Sequence, residues 1–380
     1  RMRLLQHLFW PSVVALLSLR IALFIHATGE FRTLTDRFAH TGRCVRVHEE
    51  HHGFEDIAVF GDGALVSLAS DHTHFAFRFG VSMRAALARP ERDTNVAARI
   101  LNAQSGDEWS PLTLDGAPSD FAPHGLAGWG EIGSKDASLL VVNHRTTHDS
   151  LEIFSMQGSS ASHTKTLSHA LLFNVNDCVF ASAALVYCTN WRSYETGTVL
   201  DAIEIYGQRP WSNVVSCDVS LAAASCDVVA TGIRMANGIE TRGGYVFVVA
   251  SLEPAIHVYA RPPSGSPSGA ALELVRKITT RSACDNLAWH GESSLLAACH
   301  PRALTFVRHS KSPRQYRAPC EVIRVHDALN ASRTDGTVTV YMDSVGDEFS
   351  ACSAAAVIEG KLWLGAVHQA GMLRCSAKDL

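Results

Sequence analysis

Four pairs of oxygen-bearing residues recur at one phase of a repeat: Glu55-Asp56, Asn176-Asp177, Asn237-Gly238 and Asp285-Asn286, each shortly ahead of a short apolar run. Carboxylate and amide oxygens are ligands for hard cations, and Ca²⁺ takes about six to eight of them. Carboxylates gathered on one axis without a cation would repel one another and be driven toward the protonated form. Successive strand residues point to opposite sides, so a pair such as Glu55-Asp56 could serve two ions. Taken singly, Asn-Gly and Asp-Asn are also turn residues; the shared phase is what argues for convergence. Cys352-Ser353 holds that phase in the last repeat, and in the second the nearest polar cluster is Pro123-His124-Gly125.

The elements that must position these residues are short strands. An apolar strand, a polar turn and a second alternating strand recur six times, with starts roughly 45 to 75 residues apart. The spacing is close to that of a four-stranded propeller blade with insertions. The units open at Ala64, Leu139, Ala184, Tyr245, Leu295 and Leu362; the first is expected to return through His74 to Phe77 and the fifth through Leu304 to Val307. Radial repetition leaves only short protected sheet edges. A two-sheet sandwich or jelly roll would use short strands too, but would not need six copies of one unit. The expectation is an all-β, six-bladed β-propeller. Val81 to Gln104 reads as an insertion, partly helical in composition, and Tyr194 to Asn213 as an amphipathic helix near the mouth.

The chain has 380 residues, 47% of them hydrophobic and 18% charged, which is enough apolar material for a core. A net charge of −4 offers no basic footprint for nucleic acid. Arg1, Arg3 and His7 precede an apolar run from Leu8 to His26, and Ala27-Thr28-Gly29 resembles a cleavage site. Residues 1–29 therefore read as a signal peptide or signal anchor, and 40–378 as one propeller domain. That places the protein in a secreted or extracytoplasmic, membrane-associated setting, with the leader able to meet a membrane or lipoprotein surface. Asn330-Ala331-Ser332 is a glycosylation sequon. The ten cysteines include no C-x-x-C pair, against a zinc ribbon or thioredoxin-like motif.

Three motifs do not carry their usual chemistry. His48-Glu49-Glu50-His51-His52 fits H-E-x-x-H, but an alternating run leads into it and Gly53 follows, so the helix a zinc protease needs is absent. Gly128 to Gly133 fits G-x-G-x-x-G, yet a strand follows where a dinucleotide site needs a helix. No G-x-S-x-G elbow occurs.

At the axial residues the chain resembles the paraoxonase family of serum arylesterases and lactonases. The likeness is carried by Phe54-Glu55-Asp56, Pro123-His124-Gly125, Leu140 to His144, Val175-Asn176-Asp177, Ala236 to Ile239, Asp285-Asn286, Cys299-His300-Pro301 and Gly360-Lys361-Leu362. It implies two axial calcium ions. A catalytic ion would be held by Glu55, Asn176, Asn237, Asp285 and Asn286, and a structural one by Asp56, Asp177 and the carbonyl of Leu126. It implies a Cys44–Cys375 disulfide closing the ring and Cys299 as a free thiol. It also implies hydrolysis of lactones or esters, with His124 as general base on water, His144 orienting it, and Glu55 or Asp285 as alternative bases. Trp191-Arg192 stands where the family usually has an Asp-His pair, and the loop Ser70 to Thr73 is more polar than the family's; both bear on substrate size. Two other readings stay open: a propeller enzyme like gluconolactonase or strictosidine synthase, and a non-catalytic secreted propeller with structural calcium.

Overall fold

The structure, a computed structural model, describes residues 15, 18–60, 63–68, 99–103, 109–131, 134–145, 148–221, 223, 225–330, 332 and 336–377, without the side chains of 52, 60, 63–68 and 99–103. Among the described residues twenty-five short strands assemble into sheets, each running from an inner strand outward and antiparallel throughout except where Thr113–Asp115 pairs in parallel with Ser160–Leu167. The inner strands are Phe54–Phe60, Pro123–Trp129, Val175–Ser182, Ala236–Arg242, Ala283–His290 and Ala354–Ile358. Each packs on the next, and the last on the first, so they ring one axis. The architecture is an all-β propeller. Five blades lie wholly within the described residues; the sheet opened by Phe54–Phe60 does so in part.

Burial on both faces fixes the blades. Within the strand Ser138–His144 every residue after Ser138 is buried, as expected of a middle strand covered by a neighbouring blade on each face. Apolar clusters such as Leu140, Val142, Val175, Cys178 and Val215 fill the gaps between blades.

The ring is closed by the strand Cys44–His52, which joins the last blade beside Ala370–Ser376 with Cys44 opposite Cys375. These two cysteines are disulfide-bonded, as the family resemblance implies. The other bonds are Cys178–Cys188, Cys217–Cys226, Cys284–Cys299 and Cys320–Cys352. The free thiol expected at Cys299 is therefore not found. Cys284 and Cys299 sit opposite each other on adjacent antiparallel strands, where facing side chains come within bonding reach.

Two local readings are corrected. Leu304 to Val307 is not a return strand but part of the helix Ala303–Lys311; the return strand is Cys320–Val325. A distant residue decides this. Glu30 caps the helix start, its Oε1 accepting from the backbone of Leu304 (2.7 Å) and Thr305 (3.0 Å). In the first unit the strand pairing with Gly63–Leu68 is Arg99–Ala103; His74 to Phe77 lies outside the described residues, as do Ser70 to Thr73 and most of the 81–104 insertion. The helix expected between Tyr194 and Asn213 is present at Val199–Tyr206, its N-cap Thr198 accepting from Asp201. His48 and His52 lie on the strand Cys44–His52, so H-E-x-x-H is not helical.

Candidate active site

The axial residues are presented by a repeated backbone device. Five inner strands shift register at the same phase, between Phe54 and Ile57, Pro123 and Leu126, Val175 and Cys178, Ala236 and Ile239, and Cys284 and Leu287. Each shift is a bulge that sets two consecutive residues against one on the partner strand. The bulged pairs are Glu55-Asp56, His124-Gly125, Asn176-Asp177, Asn237-Gly238 and Asp285-Asn286. Simple alternation would send the members of a pair to opposite sides; the bulges instead let both reach across to neighbouring inner strands.

Two glycines allow the bulges to nest. A Cβ on Gly125 would lie 2.6 Å from the Asn176 carbonyl oxygen and 2.8 Å from Asp177 Oδ1, and one on Gly238 would lie 2.6 Å from the Asp285 carbonyl oxygen. The amide just past each glycine then bonds an acid of the preceding blade in the ring: Leu126 N–H donates to Asp56 Oδ2 (2.8 Å) and Ile239 N–H to Asp177 Oδ2 (3.0 Å).

On these bulges four buried side-chain oxygens have no hydrogen-bond partner: Glu55 Oε2, Asn176 Oδ1, Asn237 Oδ1 and Asn286 Oδ1. They come from four strands. Asn286 Nδ2 donates to Glu55 Oε1 (3.1 Å), and Asp285 accepts from His300 at 3.2 Å. An unpaired buried acceptor costs about 1–3 kcal/mol, so four of them on the bulges of one ring fit a cation. Burial holds the Glu55 carboxyl well above the usual carboxylate range, with Asp56 and Asp285 adding repulsion. Glu55, Asn176, Asn237 and Asn286 are four of the five residues expected to hold the first calcium, and carboxylate and amide oxygens suit a hard cation.

Asp56, Asp177 and Leu126 line an adjoining cavity of about 60 Å³, together with Glu240. Burial raises Asp56 to about 7 and Glu240 to about 8, and lifts Asp177 well above its ordinary value, where Asp56 adds to the effect. This set fits the second calcium. Glu240 was not legible as a member, because it lies beyond the bulge pair of its strand.

His124 is buried beside the oxygen cluster, its Nε2 3.4 Å from Glu55 Oε1 and 3.2 Å from Asn176 Nδ2. Its ring centroid is 4.8 Å from that of His144, and its Nδ1 has no hydrogen-bond partner. Burial, and then His144, push its pKa well below the ordinary imidazole value, so it is neutral at pH 7. Asn143 and His144 hold the segment in place: Asn143 Oδ1 accepts from Ala122 N–H (2.7 Å), and His144 N–H donates to the Ala122 carbonyl (3.1 Å). His144 Nδ1 lies 2.9 Å from Asp149 Oδ1. Asp149 and His300 are two neighbours that residue spacing did not single out as partners. The first faces His144 in register across the hairpin, and the second stacks on Phe306 at 3.8 Å.

At the mouth Arg192 is tied down, its Nη1 2.9 Å from Asp201 Oδ1 and its guanidinium 3.9 Å from the Trp191 ring. Burial lowers its pKa. The Trp191-Arg192 pair thus braces the helix Val199–Tyr206.

The fold and site together are a propeller whose axis is lined by oxygens beside a buried histidine pair. The arylesterase family model matches residues 110–376. The chain is 31% identical to serum paraoxonase/arylesterase 1 of Rattus norvegicus, over 68% of this chain and 69% of that protein. It is 31% identical to serum paraoxonase/arylesterase 2 of Bos taurus, over 66% and 67%. Among solved structures it is similar to a luciferin-regenerating enzyme at a TM-score of 0.51 and 9% identity, covering 88% of this chain and 95% of that one. The last likeness concerns the fold alone. The chain belongs to the arylesterase family, that of the serum paraoxonases, and is a hydrolase of the ester or lactone kind.

Proposed function

We propose that this protein is a calcium-dependent hydrolase of lactones and aryl esters, built on a six-bladed ring. The observation that carries the reading is the set of four unpartnered oxygens, from Glu55, Asn176, Asn237 and Asn286, with a buried His124 beside Glu55 and Asn176. With Asp285 they would hold one calcium; Asp56, Asp177, the Leu126 carbonyl and Glu240 would hold another. When bound, the first ion would supply positive charge for the carbonyl oxygen and the oxyanion that develops there. His124 takes the proton of the attacking water, a role worth roughly 10²–10⁴-fold. His144 sits against it and shares the imidazolium charge that follows. Burial excludes bulk water from both rings. Glu55 and Asp285 are the alternative bases.

The protein is proposed to be secreted or extracytoplasmic, which its five disulfides suit. Asn330 is exposed and proposed as a glycosylation site. Association with a membrane or lipoprotein surface is proposed through the N-terminal segment. Its helical residues 18–27 bring Phe24 to 6.0 Å from Tyr206, and Leu19, Leu23, Val199 and Leu200 are exposed. No helix among the described residues is long and apolar enough to span a bilayer.

The test is a panel of aliphatic lactones and phenyl acetate, assayed with calcium and after chelation. Turnover that vanishes on chelation and returns with calcium is expected. A calcium-loaded protein that hydrolyses none of them is a scaffold, not an enzyme.

A further inference from the structure

We infer that Asp149 is the positioning residue that makes the histidine pair a directed proton relay; the inference rests on the His124–His144 reading above. His144 and Asp149 end one strand and begin the next, opposite each other in register, at the mouth side of one hairpin. Asp149 Oδ1 lies 2.9 Å from His144 Nδ1, and Asp149 Oδ2 accepts from Val175 N–H at 2.8 Å. Both carboxylate oxygens are therefore acceptors. The carboxylate has no proton to give, so His144 Nδ1 must carry one. That fixes the tautomer and leaves His144 Nε2 as the basic nitrogen. His144 and Asp149 side chains are only 9% and 12% exposed, so the bond is little weakened by water.

The same carboxylate reaches the neighbouring blade. Val175 directly precedes Asn176, whose Nδ2 faces His124 Nε2. Asp149 thus anchors the ring of His144 and the start of the strand that meets His124. The ring of His144, 4.8 Å from that of His124 between centroids, is thereby held in one orientation against it. No atom of Asp149 need touch the substrate.

Asp149→Asn separates this role from packing. The amide is the same size. Its oxygen can keep the Val175 bond, but its NH₂ then faces His144 Nδ1, and both contacts survive only if His144 switches to the Nε2–H tautomer. The expected result with phenyl acetate is a kcat lower by roughly 10²–10⁴-fold, the general-base range, with KM, calcium content and melting temperature near wild type. The ¹⁵N signature of the His144 ring should show Nδ1–H in wild type and Nε2–H in the variant. The wild-type spectrum alone can overturn the inference by showing Nε2–H. If His124→Gln and His144→Gln lose turnover while Asp149→Asn keeps it, Asp149 is not the positioning residue and the dyad stands. If both histidine variants turn over fully, the dyad itself fails and the relay with it.

Discussion

Gly125→Ala probes whether the nested bulges are what assemble the axis. The new methyl would sit 2.6 Å from the Asn176 carbonyl oxygen and 2.7 Å from Asp177 Cα, against the 3.4 Å at which ordinary contact begins. The inner strands Pro123–Trp129 and Val175–Ser182 must therefore separate by about 0.7–0.8 Å. The obstructing atoms include backbone, which cannot rotate away. Overpacking of this kind costs about 1–3 kcal/mol. The displaced strand carries Asn176 and Asp177, one from each proposed ligand set, and a displacement near 1 Å can cost about 10²-fold in rate. Gly291→Ala is the control: its φ is +63°, but nothing lies within 4 Å of a Cβ there. It should cost about 1–2 kcal/mol through backbone conformation alone and leave the axis untouched. Denaturant unfolding, calcium titration and lactone kinetics on both variants give the comparison. Should Gly125→Ala match wild type in calcium affinity and turnover, the bulge argument is wrong.

Three further outcomes follow from the same geometry. Replacing Cys44 and Cys375 with Ser opens the ring at the last blade, and unfolding should become easier by up to about 5 kcal/mol; a chevron or melting series reads it. In metal-free protein Asp56 and Glu240 bind protons more tightly than in the unfolded chain, at about 7 and about 8. Stability should therefore fall as pH rises from the unfolded carboxylate range through 8, and melts with and without calcium should converge only at low pH. Glu30→Ala removes the cap of the helix Ala303–Lys311 and should cost about 0.5–2 kcal/mol without changing calcium content.

Much of the axis could be read from spacing, since a repeat carries its own register: Glu55, Asp177 and Asn286 sit where the phase put them. The bulges could not, because the strands are buried on both faces around them, so the shift of alternation that an extra residue makes does not show; Gly125 and Gly238 are its trace. Leu304 to Val307 looked strand-like for a physical reason: its apolar residues are few and close, and the capping Glu30 lies far away in sequence. Asp149 was hidden by the turn between it and His144, whose length decides whether the two meet. Cys299 was misjudged because the family likeness, which implied a free thiol there, stood in for the hairpin pairing that joins it to Cys284.

The most direct test of the central claim is an anomalous-scattering map from crystals grown with calcium. The account predicts two peaks on the axis. One lies about 2.3–2.6 Å from oxygens of Glu55, Asn176, Asn237, Asp285 and Asn286, and the other at that distance from Asp56, Asp177 and the Leu126 carbonyl. An axis holding only water, with Glu55 and its neighbours hydrogen-bonded to it, would contradict the account.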